Sequence, residues 1–392
     1  MMEKTWRWFG KKDKITLDML RQIGVEGIVT ALHDIPNGEI WTTEAIKDVK
    51  SYIESFGLRW SVVESLPVSE AIKYAGADRD QLIENYKISL ENLGKAGIKT
   101  VCYNFMPVID WIRTDLQYPL ADGTSSLYFD KIRFAYFDIK ILERTGAESD
   151  YSAEELQKVE KLDTTITEAE KEELIDTIIV KTQGFINGNI KEGDKNPVAI
   201  FKRLLALYEG IDRNKLRENM KYFLTAIMPV CEEYGINMCV HPDDPPFQVL
   251  GLPRIVTDEE DISWFLNAVR NPHNGLTFCA GSLSAGTQND TRILAKKFAK
   301  RTHFVHLRST DAIEGGNFIE SSHLSGRGHI IDLIRIFEKE NPGLPMRVDH
   351  GRMMLGDEDK GYNAGYSFHG RMLALAQVEG MMAVIDDELN NK

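Results

Sequence analysis

Met346-Arg347-Val348-Asp349-His350-Gly351-Arg352 is a short apolar run that closes on a carboxylate, an imidazole, a glycine and a guanidinium. The run reads as a buried strand, and stability alone gives no reason to end a strand in this way. Three upstream runs finish alike. Asn237-Met238-Cys239-Val240 leads into His241-Pro242, Leu276-Thr277-Phe278 into Cys279-Ala280-Gly281, and His303-Phe304-Val305 into His306-Leu307-Arg308. Each delivers one metal-binding side chain where a strand gives way to a loop. Four such residues, His241, Cys279, His306 and Asp349, point to one divalent ion at one end of a barrel.

Working outward, the rest of the chain supplies the other strands. Thr5 to Gly10 alternates as a strand, with Arg7 on one face and Trp6 and Trp8 on the other. Asp13 to Ile23 reads as a helix stopped by Gly24. The strand Gly27 to Leu32 runs into His33-Asp34-Ile35-Pro36-Asn37-Gly38, a loop of turn formers. Helix and strand then alternate through Thr42 to Phe56, Leu58 to Val63, Asp78 to Ala96 and Thr100 to Phe105. That alternation implies a parallel sheet with right-handed crossovers. From Leu204 to Tyr234 a long helix leads back into the regular pattern. The helices Asp258 to Val269, Asn289 to Lys300 and His329 to Glu340 precede the Cys279, His306 and Asp349 strands, and Gly370 to Asp386 closes the chain. The count reaches about eight strand and helix pairs, the number that closes a (β/α)8 barrel. Residues 1–392 are therefore expected to form one TIM-barrel domain.

The rhythm fails between about 107 and 197, where an aromatic loop with Trp111, Arg113 and Asp115 precedes a charged region of short helical patterns. A structureless loop of this length is uncommon in a compact domain. The segment is either an inserted lid or a small subdomain, and the expectation is a helical lid over the strand ends, without a strand of its own.

Composition narrows the function classes. The chain has 392 residues, 43% of them hydrophobic, and a formal charge of −13 from 47 basic and 60 acidic residues. Lacking a basic excess or stripe, it is not expected to bind nucleic acid. Cys102, Cys231, Cys239 and Cys279 lie in apolar contexts without disulfide spacing, which favours a reducing compartment. The N-terminus lacks the apolar core of a signal peptide, and no run approaches the roughly 18 apolar residues of a membrane span. A soluble cytoplasmic protein with no membrane partner is expected.

In a parallel barrel every strand end emerges on one face, so residues far apart in sequence can share an ion. Two imidazoles, a thiolate and a carboxylate suit Fe²⁺, Mn²⁺, Co²⁺ or Zn²⁺ better than Mg²⁺ or Ca²⁺. Taken singly, each has an ordinary reading: Cys279 as core, His241 or His306 as a satisfied histidine, Asp349 as a cap. Their equivalent places in successive strands make the combined case. Tyr366, in Gly365-Tyr366-Ser367, can move a proton beside such an ion, although tyrosines at helix starts mostly pack. Arg7, Arg113, Arg308 and Arg352 are candidates for bidentate binding of a carboxylate. His33, Asn37, Asn104 and Trp111 are pocket candidates by strand-end position alone.

At these residues the chain resembles the mannonate dehydratases, a family of the xylose-isomerase-like barrels. The likeness is carried by Thr30 to Gly38, Trp60 to Ser65, Val101 to Val108 with Asp110-Trp111 and Arg113-Thr114-Asp115, His241 to Pro246, Arg347 to Gly351, and Gly365-Tyr366-Ser367. It covers nearly the whole chain. The resemblance implies loss of water from D-mannonate to give 2-keto-3-deoxy-D-gluconate in hexuronate breakdown, with Mn²⁺ or Fe²⁺. Carried over, His241, Cys279, His306 and Asp349 are the ligands, and His350 and Tyr366 lie near the reacting carbons. The resemblance also implies a homo-oligomer such as a dimer.

A proton alpha to a carboxylate is weakly acidic, so a bound ion must stabilise the enediolate formed when it leaves. His350 and Tyr366 form the expected acid and base pair, in unassigned order, with Asp349 orienting or assisting. Two other functions compete. Sugar isomerisation on the same barrel conserves mass, whereas dehydration loses water. A non-catalytic sugar- or metal-binding protein would have no turnover to lose on replacing His350 or Tyr366.

Overall fold

The computed structural model describes residues 1–182, 190 and 193–390. Among the described residues, twelve strands follow in chain order: β1 (Glu3–Arg7), β2 (Gly27–Thr30), β3 (Arg59–Glu64), β4 (Thr100–Tyr103), β5 (Asp115–Pro119), β6 (Ser125–Phe129), β7 (Asn237–Val240), β8 (Asn274–Cys279), β9 (Thr302–Leu307), β10 (Thr310–Ile313), β11 (Asn317–Glu320) and β12 (Pro345–Val348). Eight of them close a barrel in the order β1-β12-β9-β8-β7-β4-β3-β2, each paired in parallel with its neighbours. The expected (β/α)8 barrel is the observed one.

Local chemistry fixes where the crossover helices begin. The side chains of Thr42, Asp212 and Asp258 accept from the backbone N–H groups of Ala45, Lys215 and Asp261, capping the helices Thr43–Ser55, Arg213–Tyr234 and Glu259–Ala268. Their apolar faces, with residues such as Ile46, Phe223, Ile227 and Phe265, pack into one continuous outer core with the strands. Each fully buried side chain of this kind contributes about 1.5–3 kcal/mol.

Inside the barrel lies a separate cluster of Val29, Val62, Cys102, Cys239 and Phe304. Side chains two apart on a strand share a face. Glu64, Asn104, His241 and His306 therefore stand one step above Val62, Cys102, Cys239 and Phe304. The apolar plug is the floor on which the polar strand ends are mounted.

The segment between β4 and β7 departs from the expected helical insertion. It contains helices, including Lys131–Tyr136, Ala153–Asp163, Glu168–Ile175 and Pro197–Ala206, but also the hairpin of β5 and β6. Strand β6 pairs antiparallel with β11, and β11 with β10, giving a second sheet in the order β10-β11-β6-β5. The β10–β11 turn places Gly315 and Gly316 at φ of +84° and +82°, a backbone that side chains rarely adopt. Positions 183–189 and 191–192 of the expected insertion lie outside the described residues. The helix expected over Leu204 to Tyr234 is two helices, because the chain turns at Gly210 (φ +74°) before Asp212 caps the second. Among the described residues no helix is long and apolar enough to cross a membrane.

Candidate active site

Cys279 closes β8 and is fully buried, and His306 is its register partner on β9. His241 follows β7. One ligand atom from each of these three residues lies within 4.8 Å of the other two. The Nδ1 of His241 is 2.7 Å from the carbonyl oxygen of Pro242. A carbonyl only accepts, so Nδ1 carries a hydrogen, and Nε2 is the nitrogen that loses its proton when His241 binds an ion. Burial is the largest influence and works against the His241 cation, but the neighbouring groups, Cys279 first, then Cys102 and Glu64, together push this imidazole up to about 10.

Asp349 follows β12 and reaches the same group. Its Oδ2 lies 3.6 Å from Nδ1 of His306 and 3.8 Å from Sγ of Cys279. Bonds of about 2.0–2.3 Å to a tetrahedral ion separate neighbouring ligands by roughly 3.3–3.8 Å, so the spacings of Asp349 to His306 and Cys279 suit a shared ion, while the group whose atoms all lie within 4.8 Å of one another is His241, Cys279 and His306 without Asp349. The buried Nδ1 of His306 has no hydrogen-bond partner, which also fits a ligand atom. Arginines dominate the rest of this neighbourhood. Arg347 pairs with Asp349 through Nη1 and with Glu64 at 2.9 Å, while Arg308 Nη1 donates to Asp349 Oδ2 at 2.9 Å. Burial is the largest influence on the carboxylates of Glu64 and Asp349 and disfavours them, yet the surrounding positive groups, Arg347 foremost, together outweigh it and hold both well below the usual range.

His350 and Tyr366 flank Asp349. The Tyr366 hydroxyl donates to Asp349 Oδ1 at 3.4 Å, and His350 Nε2 is 3.9 Å from the same oxygen. Burial pushes the Tyr366 hydroxyl up from its ordinary range. The His350 ring packs against Trp111 and Tyr366, with centroids 5.0 and 5.2 Å away. These groups line one cavity, together with Arg7, Asn104 and Arg308 from the sequence-derived set.

Four of the sequence candidates stand elsewhere. His33 is exposed with its ring against Phe9, and Asn37 is exposed and accepts from Ser69 Oγ at 2.8 Å. Both lie in the loop beyond β2, outside the set of residues that line the cavity. Arg352 pairs at the surface with Asp122 at 2.9 Å. Arg113 is fully buried behind the cavity wall, held by Asp244 at 2.8 Å and Glu320 at 2.6 Å. Arg308 meets the same two carboxylates at 2.7 and 3.0 Å. Arg113, Asp244, Arg308 and Glu320 thus form a closed ring of alternating charge, each side chain at most 2% exposed.

Comparison with known proteins gives the family. The D-mannonate dehydratase (UxuA) family matches residues 2–392. The chain belongs to this family. A mannonate dehydratase of Marinomonas sp. strain MWYL1 is 46% identical over 390 residues, covering 97% of this chain and 98% of that protein. One of Chromohalobacter salexigens is 44% identical over 393 residues, covering 98% and 99%. The solved mannonate dehydratase of Streptococcus suis serotype 2 superposes with a TM-score of 0.79 at 34% identity, covering 100% of this chain and 97% of that one. Membership makes the chain a hydro-lyase.

Within this dehydratase, the sequence reading passed over several cavity residues. Glu64, Asp110, Asp244 and Arg347 line the site, yet they were read only as parts of longer motifs. Glu64 and Arg347 carried a usable signal, since Glu64 ends β3 and Arg347 shares a strand face with Asp349. Glu320 gave none, because it comes from β11, outside the barrel.

Proposed function

We infer that this chain removes water from D-mannonate to give 2-keto-3-deoxy-D-gluconate, with Mn²⁺ or Fe²⁺ held by His241, Cys279, His306 and Asp349. The observation that carries this reading is the meeting of a thiol and two imidazoles, with the Asp349 carboxylate 3.6 Å from His306 and 3.8 Å from Cys279, beside the cavity that His241, Asp349, His350 and Tyr366 line. A bound divalent ion supplies a Lewis acid next to the substrate carboxylate and 2-hydroxyl, lowering the cost of the enediolate.

The protein's own groups do the rest. His241 offers Nε2, because Pro242 holds the hydrogen on Nδ1. His306 offers Nδ1 and must then carry its hydrogen on Nε2. That nitrogen now accepts from Arg347 Nε at 3.1 Å, and Glu64 Oε1, 3.5 Å away, is the acceptor its N–H would take. Arg7, whose Nε has no partner although the residue lines the cavity, is placed to hold the substrate carboxylate. His350 and Tyr366 share the proton work. One takes the C2 proton, and the other protonates the 3-hydroxyl as the C3–O bond breaks. The resulting enol tautomerises to the 2-keto acid.

Purified protein loaded with Mn²⁺ or Fe²⁺ should convert D-mannonate to a product lighter by one water, read by mass spectrometry. Absence of product with metal demonstrably bound would reject the assignment. A product of unchanged mass would indicate an isomerase instead.

A further inference from the structure

The hairpin of β10 and β11 is foreign to the barrel, and its last residue, Glu320, reaches the candidate active site. Glu320 Oε1 lies 3.2 Å from Nδ1 of His350. The same oxygen accepts from Arg113 Nη2 at 2.6 Å, and Oε2 is 3.0 Å from Nε of Arg308. With Arg113 bonded to Oε1, Arg308 paired in charge with Oε2 and 2% side-chain exposure, this carboxylate is a buried acceptor.

We propose that Glu320 is a positioning residue for the dehydration: its carboxylate holds the Nδ1–H of His350 and so presents Nε2 to the substrate. The proposal rests on the reading that His350 exchanges a proton with the substrate. An acceptor on Nδ1 keeps a hydrogen there whether the ring is neutral or charged, so the proton that comes and goes is the one on Nε2. The Trp111 and Tyr366 rings packed against the imidazole limit its rotation. Tautomer and aim are therefore set together by a group that itself touches no substrate. The competing role for Glu320 is that of counter-ion to Arg113 and Arg308 alone. The two roles differ in whether His350 is needed for the effect to appear.

The test uses metal-loaded enzyme with D-mannonate and compares Glu320→Gln, Glu320→Asp, His350→Asn and the double variant Glu320→Gln/His350→Asn, with metal content measured for each. In Glu320→Gln the amide turns a donor toward His350 or toward Arg308. We expect kcat to fall about 100-fold or more, on the scale of losing a general acid or base or its orienting carboxylate. KM should stay within about threefold and metal content should hold. Glu320→Asp keeps the charge but draws the acceptor back, and should recover part of the loss. In the His350→Asn background, adding Glu320→Gln should cost less than about threefold more, as for two residues acting through one group.

A full, multiplicative penalty in that background, or an unimpaired Glu320→Gln, would overturn the proposal. Should Glu320→Gln fail to fold, Glu320→Asp alone and with His350→Asn carries the same comparison. A wild-type kcat in His350→Asn would instead reject the reading of His350 on which the proposal stands, which separates the two failures.

Discussion

At the scale of single residues, the candidate metal centre is a set of buried side chains that meet polar neighbours. Cys279 is buried yet receives a hydroxyl, that of Ser282 at 3.1 Å. Cys279→Ser should lose bound metal and activity together, read by elemental analysis and product formation, whereas retention of both would assign the thiol to packing. Tyr366→Phe should keep the metal and lower kcat by about 10²–10⁴, the range for a missing proton donor or acceptor. An unchanged kcat with full metal occupancy would remove Tyr366 from the chemistry. His241, Cys279, His306 and Asp349 were legible in the sequence because a hydrophobic strand that stops on a polar side chain is a local, readable event. His33 and Asn37 were read by the same position and are not among the residues that line the cavity, because a strand-end position does not fix where the side chains of the following loop reach. Arg352 shows the same limit from the other side: one residue beyond His350, it already points to the surface and Asp122.

At the scale of elements, the barrel strands were visible by their apolar runs and the intervening helices by their period. The second sheet was not. Strand β5 is largely exposed and polar, as in Asp115-Leu116-Gln117-Tyr118-Pro119, so it lacks the alternation that marks a half-buried strand. The pairing of β6 with β11 joins distant segments and leaves no local trace. A signal was present in Gly315-Gly316, a dipeptide that favours hairpin turns. What this sheet does for the site is bring Arg113 and Glu320 into the four-membered charge ring. Removing one member leaves a buried charge uncompensated, a loss of roughly 3–5 kcal/mol. Arg113→Met should accordingly lower unfolding free energy by that amount in denaturant titrations. A change under about 1 kcal/mol would mean that Asp244 and Glu320 satisfy themselves without it.

At the scale of the whole molecule, buried titratable groups set the response to acid. Burial lowers His303 and His323 from 6.5 to about 4. Their folded values lie below the unfolded one, so the stability they contribute is complete above pH 6.5 and is lost as pH falls toward about 4. For Glu64, Asp244, Asp349 and Glu320, burial opposes ionisation, but the arginines, Arg347 for Glu64 and Asp349, Arg113 for Asp244 and Arg308 for Glu320, hold each carboxylate below its ordinary range. Their contribution is complete above the unfolded carboxylate range, around 4–4.5, and disappears as pH drops through the depressed folded values. Thermal melts of metal-loaded protein should thus give a flat Tm from about pH 7 to 8, a decline beginning near 6.5, and a steeper fall below about 4.5. A Tm that held level down to pH 5 would show that the two histidines titrate in the folded protein as they do in the unfolded chain. None of this follows from composition, since a formal charge of −13 says nothing about which carboxylates are paired.

The pairing of β6 with β11 has a consequence for synthesis. Ser126, whose hydroxyl donates to the Glu320 backbone carbonyl, precedes it by 194 positions. At roughly 5–20 residues per second the ribosome takes about 10–40 s to deliver the second segment after the first. Throughout that interval the nascent chain displays a strand with one unclaimed edge, a hazard for sticking to its neighbours on a polysome. Translation products that stop short of the hairpin should therefore be found with holdase chaperones or in inclusion bodies.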